Sequence, residues 1–589
     1  MAAEPHNVVL FVPDGLRAGS VTPEAAPAMD ALRKAGVGFL NPHSMYPTFT
    51  TPNAASMATG HLPGDTGDFG NVIYTGFPVP GAGQSLTPFL ESDPVLGDVD
   101  EHFSGNYLDE TTLLKLAREA GLDTAAVGKL GPTLIFDHTE RTGQGTVVLD
   151  DQTGSKNGIP LAGWVADAIA KAGLPPAPPA RGENGKAGDA KTPGTHVANV
   201  EQQDWFAAVF TKVLLPKFKA DGKPFVAVFW SRDPDGTQHN QGDSLGSLTP
   251  GINGPTSAAG IRNADNDLGR IRAALDELDL AATTDVIVSA DHGFSTISKE
   301  SKTSAAAEAS YPDVPAGMLP PGFVALDLAA ALNLPLFDPD QSGKKVEAGT
   351  HSRLSNGLIG DDPAKPQVVV AANGGSDLVY LPPPVAPGLA GKVVDALLAE
   401  DYVGGLFVDA SLGRFPGTLP LDAIGLAGSA VTPMPAIAIS FRSWSTGCKD
   451  TSLCQVEIAD TALQQGQGMH GSFGRGDIAN FMAAAGPDFK AGLADKAPAG
   501  NADIGRTAAA ILGLKLPDHG HLVGRVLTEA MKGGAPVEST ARNLKSAPTK
   551  RGLVTILFFE TVGGTRYFDA AGIPGRTVGI EPGVGRLLR

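Results

Sequence analysis

The sequence predicts an α/β fold in which a mostly parallel sheet is sandwiched by helices, with loop or cap insertions and a short C-terminal β-hairpin. Runs that are apolar throughout, such as residues 8–12 and 224–230, are typical of strands buried on both faces of a parallel sheet. Amphipathic helical patterns, such as residues 261–278, lie between these runs and favour strand–helix–strand units. The 74 glycines and 47 prolines predict long ordered loops between the elements.

In chain order, the pattern predicts seven strands and four helices. A Pro-Asp-Gly turn follows the first strand, and a helix and a short second strand come next. The predicted strands cover residues 8–12, 37–40, 124–127, 224–230, 285–289, 368–372 and 436–441. The predicted helices cover residues 23–35, 110–120, 204–220 and 261–278.

We predict one catalytic domain over residues 1–535 and a C-terminal extension over residues 536–589. Three segments interrupt the strand–helix rhythm and are predicted as insertions, at about 135–196, 296–366 and 413–435. In the extension, the stretch GLVTILFFETVGGTRYF predicts a β-hairpin with Gly-Gly at its turn.

Charge and hydropathy argue against two classes of protein. The 589-residue chain has 45 basic and 63 acidic residues and a net charge of −18, which would repel the phosphate backbone of a nucleic acid. No apolar run reaches the ~20 residues that cross a bilayer, so we expect no membrane span. The sequence carries no signal for the oligomeric state.

The two cysteines, Cys448 and Cys454, lie close together in a polar segment. They form either a small disulfide-closed loop or two free thiols, and the sequence favours neither. A disulfide is typical of proteins outside the cytoplasm. We therefore expect a periplasmic or secreted protein, with a cytoplasmic location as the alternative.

Acidic and histidine side chains follow several predicted strands at the point where each strand ends. Because the carboxyl ends of parallel strands meet at one edge of a sheet, we expect these side chains to lie close together. Carboxylate and imidazole groups are ligands that suit Zn²⁺, and paired ions suit displacement at phosphorus. The segments are FVPDGLR with Asp14, FWSRDPDGTQH with Asp235 and His239, VIVSADHGF with Asp291 and His292, and GMHGSFGRGD with His470.

A further segment, YPTFTTPNAASMATG, predicts the start of a helix. Thr51 is the expected N-cap, with Pro52 at the first helical position. A capped helix alone would explain the segment. The functional alternative places the Thr50 hydroxyl at a helix N-terminus, where free N–H groups attract anions.

Together these segments, in this order, resemble the type I phosphodiesterase/nucleotide pyrophosphatase branch of the alkaline phosphatase superfamily. PTFTTPN resembles the branch's nucleophile motif, RDPDGTQH and SADHGF resemble its metal-binding motifs, and Asn71 stands where the branch has its phosphoryl-binding asparagine. The resemblance implies an alkaline phosphatase-like fold and two divalent ions, for which Zn²⁺ is the expected metal. It implies one site of Asp14, Asp291 and His292, another of Asp235, His239 and His470, and contact of Thr50 with a metal.

The resemblance also implies a mechanism. Thr50 would attack phosphorus and form a phospho-threonine, while Asn71 and the backbone N–H of Thr51 would bind phosphoryl oxygens. Nucleotide-specific relatives have an aromatic residue where this chain has Thr51. Trp230 is a candidate stacking face for substrate, with an apolar strand end as the alternative. Lys129 is a candidate phosphate ligand, although Gly131 replaces the second base of the K-x-[KR] pair found in monoesterases and phosphonate hydrolases.

The expected function is therefore that of a two-metal phosphoester hydrolase acting on a small-molecule substrate, with phosphodiesters preferred. A phosphomonoesterase and a phosphonate hydrolase are alternatives, because both would share the metal centre. A metal-binding pseudoenzyme is the alternative outside catalysis, although decay removes ligands and this set is complete.

Overall fold

The computed structural model describes residues 6–581, which contain 25 strands and 16 α-helices. The strands are β1 (Asn7–Pro13), β2 (Val37–Phe39), β3 (Pro42–His43), β4 (Asp123–Gly128), β5 (Val147–Leu149), β6 (Phe225–Ser231), β7 (Thr284–Ser289), β8 (Ser295–Ser298), β9 (Leu336–Asp338), β10 (Lys344–Lys345), β11 (Gly357–Ile359), β12 (Val368–Ala372), β13 (Ser376–Tyr380), β14 (Val403–Val408), β15 (Leu419–Pro420), β16 (Ile437–Phe441), β17 (Ser443–Ser445), β18 (Gln455–Ile458), β19 (Gly468–Met469), β20 (Met482–Ala485), β21 (Leu493–Asp495), β22 (Ala499–Gly500), β23 (Thr540–Lys545), β24 (Ile556–Val562) and β25 (Thr565–Gly572). The helices are α1 (Pro27–Ala35), α2 (Thr50–Thr59), α3 (Pro63–Thr66), α4 (Asp93–His102), α5 (Leu113–Glu119), α6 (Pro132–Ile135), α7 (Gly163–Lys171), α8 (Val200–Val209), α9 (Leu215–Asp221), α10 (Asp235–Asn240), α11 (Pro255–Glu277), α12 (Ala305–Glu308), α13 (Phe323–Leu332), α14 (Leu389–Ala399), α15 (Arg475–Ile478) and α16 (Asn501–Ile511).

Eight strands form the main sheet, in the spatial order β21–β2–β20–β7–β1–β6–β4–β5. β1 pairs in parallel with β6 and β7, and β4 pairs in parallel with β6 and β5. Only β20 runs antiparallel to its neighbours, β2 and β7. The predicted mostly parallel sheet is confirmed.

Both faces of this sheet are covered, which explains the unbroken apolar runs. In β1, Val8, Leu10 and Val12 join one hydrophobic core, while Val9 and Phe11 join a second core on the other face. Each of these side chains is fully buried. Burying a side chain of this size contributes about 2 kcal/mol to folding, so both faces stabilise the strand.

A second sheet of eight strands, β10–β9–β11–β12–β13–β16–β14–β15, was not expected. The predicted strands at 368–372 and 436–441 do form, as β12 and β16, but they lie in this mainly antiparallel sheet. Its two faces are also buried, with Val369 in one core and Val370 in another. Hydrophobic patterning cannot separate parallel from antiparallel strands when both faces are covered.

The predicted C-terminal hairpin is present. β24 and β25 pair antiparallel across Gly563 and Gly564, and β23 adds a third strand beside β24. Leu557 and Phe568 of the hairpin pack into the main hydrophobic core. The predicted insertion at 296–366 supplies β9, β10 and β11 of the second sheet. The domain boundary at residue 535 stays a prediction.

A disulfide joins Cys448 and Cys454, whose Cα atoms are 6.1 Å apart. It closes the loop between β17 and β18, so of the two alternatives the structure has the disulfide. Among residues 6–581 no helix is both long enough and apolar enough to cross a membrane.

Candidate active site

Four neighbouring parallel strands deliver functional side chains to one edge of the main sheet. Asp14 directly follows β1, and Lys129 directly follows β4. Asp235 begins α10 shortly after β6, and Asp291 and His292 follow β7. Carboxyl ends of adjacent parallel strands share an edge, as the sequence pattern predicts.

The first cluster contains Asp14, Asp291 and His292, with one ligand atom of each within 4.8 Å of the others. His292 Nε2 lies 3.1 Å from Asp291 Oδ2 and 3.6 Å from Asp14 Oδ1. All three side chains are fully buried. The structure thus brings together the set expected for one metal site.

The second cluster contains Asp235, His239 and His470, again within 4.8 Å. Asp235 Oδ1 lies 3.1 Å from His239 Nε2 and 3.4 Å from His470 Nε2. His470 follows β19 and is more than 170 residues further along the chain than the other members of the two clusters. The ring centroids of His292 and His470 are 3.6 Å apart, so the two clusters are adjacent.

The three histidines share one orientation. In each ring Nδ1 lies within hydrogen-bond distance of a backbone carbonyl oxygen, which leaves the Nε2 lone pair facing the carboxylates. A backbone partner on one ring nitrogen is the usual support of a metal-binding histidine. The contacts are His239 to Gly468 at 2.8 Å, His292 to Gly293 at 2.8 Å and His470 to Thr48 at 2.7 Å.

Each carboxylate has one oxygen held by the protein and one without a hydrogen bond. Asp291 Oδ1 accepts from the backbone N–H groups of Gly15 and His292, both at 3.0 Å. In the part of the chain that the structure describes, Asp14 Oδ1, Asp235 Oδ1 and Asp291 Oδ2 accept no hydrogen bond, although all three are buried. These oxygens are the atoms that face the histidine Nε2 atoms. Buried oxygens without partners are costly, so this donor set fits two bound cations.

The ionisation of the two central histidines differs. Burial, and then the charge of His292, lower the pKa of His470 to about 3, which keeps its imidazole neutral. Burial acts in the same direction on His292, but its contact with Asp291 and the charges of Asp14 and Asp235 together outweigh burial and raise the pKa of His292 to about 9. A cation bound by the carboxylates would take the place of the proton on His292.

Thr50 is the first residue of α2 and lies beside the first cluster and Lys129. Its Oγ1 is 3.5 Å from His292 Nε2 and 3.2 Å from Lys129 Nζ. The N-cap is Phe49, so the predicted N-cap at Thr51 is wrong. Pro52 sits within the first turn, where N–H groups need no helical partner, and the proline therefore does not mark the first helical residue.

Thr51 and Asn71 meet beside Thr50. The Thr51 backbone N–H donates to Asn71 Oδ1 at 2.9 Å, which places both groups at the N-terminus of α2. The Thr51 hydroxyl instead donates to Asp68 Oδ1 at 2.8 Å. The Thr51 side chain therefore stabilises the first turn of α2, and the Thr51 backbone N–H is the group that faces the site.

Lys129 bridges the two clusters from a buried position. Its Nζ lies 2.9 Å from Asp14 Oδ2, 3.1 Å from Asp235 Oδ2 and 3.3 Å from Glu91 Oε1. Burial opposes the charge on the ammonium, but these carboxylates outweigh burial and raise the pKa of Lys129. The lysine is thus a permanent cation between the ligand sets.

Glu91 is a site residue that sequence reasoning missed. Besides Lys129, its Oε1 accepts from Asn71 Nδ2 at 3.3 Å. Burial raises the pKa of Glu91, and Lys129 opposes that rise. Glu91 stands in a loop just before α4, with no motif around it, so the sequence contains no local signal for its role.

Trp230 does not offer a stacking face. It lies in β6 between β1 and β4, with none of its surface exposed. Its Nε1 donates to Asp14 Oδ2 at 2.7 Å. The suggestion that Trp230 stacks on a substrate is therefore corrected, because a side chain in a central strand is covered on both sides. It holds the Asp14 carboxylate instead.

Comparison with known proteins gives one family. The family model described as type I phosphodiesterase / nucleotide pyrophosphatase matches residues 8–311, slightly more than half of the chain. The match includes every residue of the candidate site described above except His470. No curated protein matches the chain significantly.

Proposed function

Because the chain belongs to the type I phosphodiesterase / nucleotide pyrophosphatase family of the alkaline phosphatase superfamily, we propose that it is a phosphodiesterase with Thr50 as its nucleophile. The observation that carries the proposal is the position of the Thr50 hydroxyl. It lies 3.5 Å from a histidine of the first cluster and 3.2 Å from the lysine that joins both clusters. A hydroxyl so placed can be ionised and aimed at phosphorus.

Two divalent ions would be held by the two clusters. Asp14, Asp291 and His292 would bind one, and Asp235, His239 and His470 the other. The mixed carboxylate–imidazole sets suit Zn²⁺. When bound, such ions lower the pKa of a hydroxyl and neutralise charge on phosphoryl oxygens.

The chain's own residues account for the remaining chemistry. Thr50 Oγ1 forms a bond to phosphorus as the bond to the departing alkoxide breaks, and water later hydrolyses the phospho-threonine. Lys129 stabilises the negative charge that develops on Oγ1. In the structure the Thr51 N–H donates to the side-chain oxygen of Asn71. When substrate binds, the Thr51 N–H and the Asn71 amide would instead bind a non-bridging phosphoryl oxygen at the helix N-terminus.

The charge balance of the site favours a diester over a monoester. Lys129 is surrounded by carboxylates, and Glu91 brings an additional negative charge beside Asn71. With two divalent ions bound, the charges of these ions and of Lys129, set against the carboxylates of Asp14, Glu91, Asp235 and Asp291, leave about one net positive charge in the site. A diester carries one negative charge and a monoester two, so the monoester would meet repulsion from Glu91. The closeness of Lys129 to Thr50 makes a phosphomonoesterase the second candidate.

The disulfide supports a periplasmic or secreted location, because disulfides are rare where thiols are kept reduced. The substrate we propose is a small phosphoester, as the family description indicates.

The test compares hydrolysis of bis(p-nitrophenyl) phosphate and p-nitrophenyl phosphate by the zinc-supplemented enzyme. We expect diester cleavage to dominate, and Thr50→Ala to lower kcat by roughly 10³-fold or more, because the nucleophile is lost. Thr50→Ser is the matched control, since it keeps a hydroxyl at the same place and should retain substantial activity. Full activity in Thr50→Ala would refute the proposal that Thr50 is the nucleophile. Faster hydrolysis of the monoester than of the diester would refute the proposal that the protein is a phosphodiesterase.

A further inference from the structure

A third group of metal-type side chains lies at the edge of the main sheet opposite to the active site. His6 precedes β1, Asp285 is the second residue of β7, and Asp488 follows β20. One ligand atom from each lies within 4.8 Å of the others. Val8 of β1 pairs with Asp285, so the cluster sits where the amino ends of these parallel strands meet.

Asp285 repeats the arrangement of the active-site carboxylates. Its side chain is fully buried, and its Oδ1 accepts a hydrogen bond from the Asp488 backbone N–H at 3.0 Å. Its Oδ2 accepts no hydrogen bond and lies 4.0 Å from His6 Nδ1. A buried carboxylate oxygen of this kind requires a proton or a cation as partner.

The local charges balance only when the two carboxylates gain a proton or a further cation. His6 Nδ1 is 2.8 Å from Asp488 Oδ2, and within residues 6–581 it is the one basic group paired with either carboxylate. Two lysines that lie near His6 are paired elsewhere, Lys219 with Asp279 and Lys223 with Asp123. Burial and the charge of Asp488 raise the pKa of Asp285 to about 7.

We propose that His6, Asp285 and Asp488 bind a divalent metal ion of the Zn²⁺ type, separate from the catalytic pair. Zinc bonds of about 2.1 Å place tetrahedral ligand atoms roughly 3.4 Å apart. The separations of 2.8 Å and 4.0 Å from His6 Nδ1 to the two carboxylates lie on either side of that value. His6 and Asp488 are 28% and 29% exposed, so an ion can enter and water can complete its coordination.

The ion would have a structural role. It would tie the start of β1 to β7 and to the segment after β20, which are neighbours in the order β20–β7–β1. Another buried cluster, His43, Glu560 and Asp569, is less suited to a cation because the Arg475 guanidinium lies 3.3 Å from Asp569. The proposed metal site is therefore the His6, Asp285 and Asp488 cluster only.

The experiment measures zinc per chain by elemental mass spectrometry, after the protein is loaded with zinc chloride and gel-filtered. We expect His6→Ala to bind one zinc ion fewer than wild type and to lose part of the zinc-dependent rise in Tm. Asp488→Asn should also bind one zinc ion fewer. This second variant keeps the test valid if His6→Ala disturbs the start of β1. His196→Ala is the matched control, because His196 also contacts a carboxylate, Asp243 at 3.4 Å, outside all four clusters.

The proposal is tested by the difference in zinc content between wild type and variant, and not by the total number of zinc ions per chain. Equal zinc content and an equal zinc-dependent Tm in wild type, His6→Ala and Asp488→Asn would overturn the proposal. A one-ion difference supports it even if the catalytic pair binds less metal than expected.

Discussion

At the scale of single residues, the geometry of the site depends on side chains that orient the candidate metal-binding residues as well as on those residues themselves. Trp230 and Lys129 both contact Asp14 Oδ2, and this leaves Asp14 Oδ1 turned toward His292. Glu91 in turn connects Lys129 to Asn71. Each of these contacts suggests a substitution whose effect differs from simple loss of the fold.

Glu91→Gln should raise the ratio of monoester to diester hydrolysis. The change removes one negative charge while keeping the hydrogen bond to Asn71, so a dianionic substrate loses a repulsive partner. We expect about a tenfold change in the ratio of kcat/KM values, equivalent to about 1.4 kcal/mol. Glu101→Gln is the matched control, because Glu101 is 78% exposed. An unchanged ratio would show that Glu91 does not set the charge preference.

Trp230→Phe should lower kcat with little change in KM. The phenyl ring keeps most of the packing, but Asp14 loses a charge-assisted hydrogen bond worth about 2 kcal/mol. We expect a fall of roughly tenfold to thirtyfold, measured by steady-state kinetics on the diester. Trp205→Phe removes a comparable indole bond, to the Pro175 carbonyl, at a distance from the site. A rise in KM alone would instead indicate a direct contact with substrate.

At the scale of elements, the position of Thr50 depends on how the first turn of α2 is held. Asp68 accepts hydrogen bonds from the Thr51 hydroxyl at 2.8 Å and from the Tyr107 hydroxyl at 3.0 Å. It therefore ties the first turn of α2 to the segment after α4. Burial outweighs both hydrogen bonds and raises the pKa of the Asp68 carboxyl to about 7.

Asp68→Asn should change how the free energy of unfolding varies with pH. Between about pH 4 and pH 7 native Asp68 keeps a proton that the unfolded chain has lost, so its contribution to stability decreases as pH rises through this range. The decrease amounts to at most about 4 kcal/mol, and the asparagine variant should lack it. Urea unfolding at pH 4 and pH 7 measures the difference, with the exposed Asp361→Asn as control. Parallel pH profiles for wild type and Asp68→Asn would contradict the assignment.

At the scale of the whole molecule, the site joins residues that are remote along the chain. The candidate metal ligands extend along the chain from Asp14 to His470, and the ring of His292 stacks on that of His470. The second sheet and the C-terminal hairpin share a hydrophobic core with the main sheet. Ions at the site would therefore stabilise the fold as well as the chemistry.

Removal of divalent metal by a chelator should abolish activity and lower Tm by several degrees. Without cations, the buried carboxylates of Asp14, Asp235 and Asp291 repel one another, and Lys129 offsets only part of that repulsion. Differential scanning calorimetry before and after chelation measures the change. Readdition of Zn²⁺ should restore both activity and Tm. Unchanged activity in thoroughly chelated protein would contradict a metal-dependent mechanism.

The sequence by itself determined the parallel sheet and the residue types at its carboxyl edge, because both are written in local patterns of a few residues. It did not determine the second sheet, since buried strands look alike whether they pair in parallel or antiparallel. Only the tertiary structure decided that Glu91 reaches Lys129 and Asn71, that Trp230 holds Asp14, and that His6 meets Asp285 and Asp488. These contacts join distant segments with no shared motif, and packing of the whole chain is what brings them within a few ångströms.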